Sequence, residues 1–154
     1  MILAHPLVRR VASVVWLAQR GTTLGVRGIV IDAQRRVLLV RHGYAPGWHF
    51  PGGAVDRGET VRDAVIRELL EETAVTVEGE PSLFGVYTNF RQFPRDHVVA
   101  FVIPHYSRGT PPPSSFEIRE QGFYPVDALP EGTTSGTRGR LDELLSGAAM
   151  RAVW

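Results

Sequence analysis

At 154 residues, with 44% hydrophobic and 21% charged side chains, the chain is the size of one domain and long enough to bury a core. Its formal net charge of +1 excludes a global field built to hold nucleic acid or an anionic membrane. The absence of cysteine excludes disulfides, thiolate metal sites and cysteine nucleophiles, and fits a reducing, cytoplasmic setting.

The chain opens on MILAHPLVRRVASVVWLAQRG, whose apolar run VASVVWLA has eight residues, against the roughly 20 a membrane span needs. No small-residue cleavage site follows it, so residues 1–23 are expected to form an extension, a short helix or strand packed on the domain. VRGIVID (26–32) and RVLLVR (36–41) are β-branched runs parted by a short polar link, and they predict a hairpin. HGYAPGWHFPGGAVDRGE is rich in glycine and proline and predicts a structured loop.

A helix is predicted over about 61–73. Thr60 stands as N-cap with Asp63 three positions on, and Val61, Val65 and Leu69 recur every fourth residue. SLFGVYTNF (82–90) and HVVAFVIPHY (97–106) predict two further strands, and RGTPPPSS a polyproline-like surface connection. A short strand is expected near Phe123, then a closing helix in RGRLDELLSGA with Leu141, Leu144 and Leu145 on one face. The order is that of an α+β fold with a helix on each side of a sheet.

Within the first helix the stretch RELLEE places Glu68, Glu71 and Glu72 inside an arc of about 100°. Glu68 and Glu72 are four apart, so their Cβ atoms lie about 5–6 Å from each other. Two readings fit. One is a solvated acidic face, with like-charge repulsion of only about 0.2–0.5 kcal/mol partly offset by Arg67 pairing with Glu71 or Glu59. The other is a cradle for a hard divalent cation, Mg²⁺ or Mn²⁺, which takes a few carboxylates and completes its shell with water and phosphate oxygens.

The surroundings bear on the choice. Gly53 is followed by five residues and Glu59, then by seven residues and Arg67-Glu68, an apolar Leu69, Glu71-Glu72, Ala74 and an apolar Val75. This spacing resembles the signature of the Nudix hydrolases. Ala74 alone departs from it, standing where the family pattern has glycine, and the departure bears on how the helix ends. PGWHFPGG before the box and EIREQGFYPVDALPEG near the end are also similar to the family, so the likeness covers about residues 24–132.

The resemblance implies an α/β/α sandwich around a mixed sheet, in a single Nudix domain over residues 1–154. It implies hydrolysis of a pyrophosphate bond, in a nucleoside diphosphate linked to another moiety or in a nucleoside triphosphate. Glu71 and Glu72 are then metal ligands, and Glu68 a third ligand or the group that handles the attacking water. The Gly52 or Gly53 carbonyl adds a backbone oxygen, and Glu59 and Arg67 form a structural ion pair. Glu117 and Glu120 are candidate bases outside the box, with solvated charge as the equal alternative.

Arg27, Arg41, Arg91 and Arg95 are candidate phosphate clamps. Trp48, Tyr87, Phe90 and Phe93 are candidates for stacking on a base. The implied partner is a small nucleotide, with no stable nucleic acid and no membrane span, and a homodimer is common in the family. The competing functional class is a nucleotide sensor that binds without cleaving.

Overall fold

The computed structural model describes residues 21–154. The N-terminal helix or strand expected before Gly21 lies outside the described residues. Among the described residues, seven strands and two helices follow one another. They are β1 (Thr23–Ile29), β2 (Arg36–His42), α1 (Val61–Thr73), β3 (Val75–Val77), β4 (Ser82–Thr88), β5 (Asp96–Val102), β6 (Tyr106–Arg108), β7 (Ile118–Pro125) and α2 (Ser135–Ser146).

β1 runs parallel to β5, which is antiparallel to β4, so the three-stranded sheet is mixed. β2 pairs antiparallel with β7, and β3 with β6. The expected β1–β2 hairpin is therefore corrected. The two runs meet hairpin-fashion near their turn, through the Leu38 N–H to Val30 O (3.0 Å) and Asp32 N–H to Arg36 O (2.9 Å) bonds and the isolated Ile31–Val37 bridge, but β1 and β2 do not continue as one ladder. A local β-branched pattern shows that two strands exist, but their ladder partners lie some 70 to 90 residues away, where no turn signal can point.

The expected strand over 97–106 is likewise two, since the ladder breaks at Ile103–His105 before β6 begins. β7 is an eight-residue strand, longer than the short one expected near Phe123.

Strand alternation builds two cores. On β2, Leu38 points into a cluster with Val65 and Leu69 of α1, while Val37 and Leu39 point into another with Leu141 of α2. On β5, Val99 and Phe101 join the first cluster and Ala100 the second. Strands covered on both faces read as continuous apolar runs, which is why VLLV and VVAFV show no polar alternation. Burying each large apolar side chain stabilises the fold by roughly 1.5–3 kcal/mol. In α2, Leu141 is buried and Leu144 partly so. Leu145 is exposed, so the expected three-leucine face is narrower than the spacing suggested.

α1 begins where Thr60 accepts the Asp63 N–H (3.1 Å) and returns its hydroxyl to Asp63 Oδ2 (2.7 Å). It packs on β1 at Gly28, where an added Cβ would stand 2.9 Å from Leu69 Cδ1. Its end is set by Ala74, at φ 54° and ψ 27°, whose N–H turns back to the Leu69 and Leu70 carbonyls. A left-handed alanine costs about 1 kcal/mol that glycine does not. Ala74→Gly is therefore expected to raise stability by about 1 kcal/mol, read as a higher urea midpoint with an unchanged m-value.

Candidate active site

The buried stripe of α1 includes Val65, Glu68, Leu69 and Glu72, so two carboxylates occupy positions that spacing assigns to the core. Glu72 is only 5% exposed, and its Oε2 accepts the Gly52 N–H at 2.8 Å. Its Oε1 lies 3.9 Å from His42 Nδ1, and neither ring nitrogen of His42 has a hydrogen-bond partner. The Gly52–Gly53 backbone lies directly against both acids. A Cβ at Gly53 would meet Glu68 Oε1 at 2.4 Å, and one at Gly52, where φ is 142°, would meet Val26 O at 2.1 Å. Only glycine lets the loop come this close.

Arg67 gathers the remaining charge. Its Nε and Nη2 donate to Glu59 Oε1 and Oε2 (2.8 and 3.0 Å), and its Nη1 donates to Glu68 Oε1 (2.8 Å) and Glu71 Oε2 (3.2 Å). Nη2 also reaches the Ala54 carbonyl at 3.1 Å, so one guanidinium ties the loop to the helix. The Arg67 contact holds the Glu59 carboxyl down at about 2.

Burial has the opposite effect on the inner pair. It pushes Glu72 up to about 8 against the pull of the Gly52 N–H and Arg27, and it raises Glu68 against the pull of Arg67. Burial, with Arg27 and His49 nearby, lowers His42 to about 4, so the imidazole beside Glu72 is neutral and supplies no positive charge.

Among the described residues, no three or more His, Asp or Glu side chains are already drawn together around a metal position. Arg67 stands between Glu68 and Glu71 in this arrangement. The donor set nevertheless fits a hard cation, being all carboxylate oxygen, partly desolvated and short of positive charge. The backbone oxygens expected as ligands are engaged elsewhere: Gly52 O accepts from Arg27, and Gly53 O from the Val26 N–H (2.8 Å).

Two cavities adjoin this site, one walled by the acids and the other by Gly52 and Gly53. One, of about 280 Å³, is lined by Glu68, Glu71, Glu72 and Glu117 together with Pro112 and Pro113 of the proline segment. The other, of about 470 Å³, carries Arg27, His42, Tyr44, Arg91, Phe93 and Trp154 in its walls. That volume is within the range of small-molecule sites.

The remaining candidates separate. Arg41 pairs with Glu120 across the β2–β7 ladder and lines neither cavity. Trp48 and Tyr87 are corrected to core residues. Trp48 is 7% exposed and packs edge-on against Tyr124, and Tyr87 donates its hydroxyl to buried Glu143 (3.1 Å). A strand or loop aromatic gives no local sign of which face it will take. Phe90 is exposed, and Arg95 has a left-handed backbone (φ 71°) in the same loop. His42, Tyr44 and Trp154 were not singled out by any spacing, because only folding brings them to the cavity wall.

A NUDIX domain model matches residues 21–145. The chain belongs to the Nudix family. This Nudix chain is similar to the ADP-ribose pyrophosphatase of Methanocaldococcus jannaschii, 32% identical over 105 residues that cover 66% of this chain and 62% of that protein. It is similar to the oxidized purine nucleoside triphosphate hydrolase of Mus musculus, 33% identical over 117 residues covering 66% of this chain and 65% of that protein. The chain thus spans somewhat under two thirds of the length of these relatives.

Among solved structures it resembles a MutT NUDIX hydrolase from Burkholderia pseudomallei, with a TM-score of 0.69 and 26% identity over 80% of this chain and 98% of that one. The MutT protein of Methanosarcina mazei shares the Nudix fold at a TM-score of 0.70 and 19% identity, over 84% of this chain and 96% of that one.

The buried acid has a measurable sign. A carboxyl whose pKa rises from 4.5 unfolded to about 8 folded takes up a proton on folding, so its contribution to stability falls as pH rises between those values. In EDTA, Glu72→Gln is expected to gain stability relative to wild type from pH 5 to 8, at up to about 1.4 kcal/mol per pH unit. Urea unfolding at several pH values checks this, and a difference independent of pH would refute it.

Proposed function

We propose that the protein is a Mg²⁺- or Mn²⁺-dependent pyrophosphohydrolase, formed as one domain, that cleaves a nucleoside diphosphate linked to another group or a nucleoside triphosphate. The observation that carries this reading is the pair of buried, charge-deficient carboxylates Glu68 and Glu72. They line one cavity together with Glu71 and lie against the Gly52–Gly53 backbone, which lines the other. The similarity to relatives named as a pyrophosphatase and a triphosphate hydrolase supports the same chemistry.

In this reading Glu68, Glu71 and Glu72 hold the metal. Once bound, it neutralises phosphate charge and lowers the pKa of water. Arg67 orients Glu68 and Glu71 while its bidentate contact with Glu59 keeps the loop on the helix. Glu117, in the wall of the acidic cavity, or Glu68 accepts the proton of the attacking water. The water oxygen forms a bond to phosphorus, the bridging P–O bond breaks, and the electron pair leaves with the departing phosphate. Arg27 and Arg91, which line the larger cavity, contact phosphate oxygens in this reading.

A panel of ADP-ribose, dinucleoside polyphosphates, sugar nucleotides and ordinary and oxidised nucleoside triphosphates tests the proposal. At least one is expected to turn over with Mg²⁺ and none in EDTA, and Glu72→Gln is expected to lower the rate by about 10²-fold or more. Undiminished turnover in the variant, or tight binding without any product, would overturn the hydrolase reading. The second outcome would indicate a sensor.

A further inference from the structure

After α2 the chain turns at Gly147 (φ 68°) and runs back over the helix to meet β4. Thr88 N–H donates to Ala152 O and Trp154 N–H donates to Thr88 O, both at 2.9 Å, so this segment extends the edge of the sheet. Two glycines make room for its side chains. A Cβ on Gly85 would stand 2.2 Å from Met150 Cε, and one on Gly136 would stand 2.2 Å from Trp154 Nε1. Such close fits on two separate elements mark a seat shaped for this segment.

A buried ion pair fastens it. Arg140 donates to Glu143 Oε1 at 2.6 Å, and both side chains are 1% exposed. Burying such a pair carries a desolvation cost that its own attraction only partly offsets, so its partners need explaining. Besides the Tyr87 hydroxyl on Glu143 Oε2, they are in the returning segment: Arg151 N–H donates to Glu143 Oε1 (3.0 Å), and Arg140 Nη1 donates to Val153 O (3.2 Å). The Arg140 guanidinium also lies over the rings of Tyr87 (4.1 Å) and Trp154 (5.5 Å).

The consequence is the placement of one side chain. The Trp154 indole stands edge-on to Tyr87 (5.5 Å between centroids) and to Phe50 (6.4 Å). It remains partly exposed, and it lines the 470 Å³ cavity that also holds Arg27, Arg91, Tyr44 and Phe93. Among the described residues Asp96 is the only acidic one in that wall, and it is already engaged by Thr23 (2.6 Å) and Asn89 (2.9 Å).

We propose that Trp154 is a specificity-determining residue whose indole contacts the nucleobase of the substrate, with Arg140 and Glu143 as the positioning pair that sets it in the cavity wall. This rests on the reading of the protein as a nucleotide hydrolase. An aromatic contact to a base is worth about 5- to 150-fold in affinity, and a ligand without a base does not feel it.

Calorimetry with saturating Mg²⁺ tests the proposal, using the α,β-methylene analogues of ADP, GDP and UDP beside inorganic pyrophosphate. Trp154→Ala is expected to weaken the best-bound analogue about tenfold or more and to leave pyrophosphate unchanged. Trp154→Phe is expected to recover most of the loss. Equal weakening of analogue and pyrophosphate would show a purely structural role and overturn the proposal, as would unchanged affinity for every analogue. Either result leaves the hydrolase reading standing. If wild type binds none of the probes and hydrolyses nothing in the panel, both fall.

Discussion

The structure turns on the burial of two carboxylates in the core stripe of α1. Glu68 stands about one turn along from Val65 and Glu72 about one turn along from Leu69, and all four face the same way. Moving a charged carboxylate out of water costs several kcal/mol unless something answers it. The answers here are few: one backbone N–H from Gly52, the nearby charge of Arg27, one shared guanidinium from Arg67, and a neutral histidine that offers no charge. The remaining imbalance raises the affinity of both acids for a proton, and by the same electrostatics for a cation.

Much of the architecture follows from keeping that arrangement in place. The loop must reach Glu68 with bare backbone, which accounts for Gly53, while Gly52 is required by its φ of 142° and by the Val26 carbonyl of β1. It must also stay there, and Arg67 secures it by gripping Glu59 with two nitrogens and Ala54 with one of them. The helix in turn is seated on β1 by Leu69 against Gly28 and stopped by Ala74. On the opposite face, α2 and the segment after it form a second core, which carries the far wall of the larger cavity. The sheet thus separates two tasks. One face supports the acidic helix, and the other supports the surroundings of whatever is bound.

Legibility from sequence followed the range of the interactions. The bounds of α1, its Thr60 cap and its glutamate face depend on contacts within a few residues, and the spacing of Gly53, Glu59 and Arg67-Glu68 marked the family over most of the chain. The β1–β2 pairing is not legible locally because both strands take ladder partners distant in sequence. The core placement of Trp48 and Tyr87 is not legible either, because an aromatic residue serves equally as a core filler or a stacking surface until its face is known. Arg41 pairs with Glu120 for a similar reason: a strand arginine meets whatever the neighbouring ladder presents.

Local spacing therefore suffices for the helix, its acidic face and the kinship of the chain, since each is written within about 25 residues and repeats at 3.6 per turn. Folding alone could bring Tyr44, Arg91 and Trp154 into one wall. It alone could also show that two of the three glutamates lie inside the core stripe, with the third outside it. These are facts of burial and long-range approach. They arise from how sheets, helices and loops close on one another, and no periodicity in the chain encodes them.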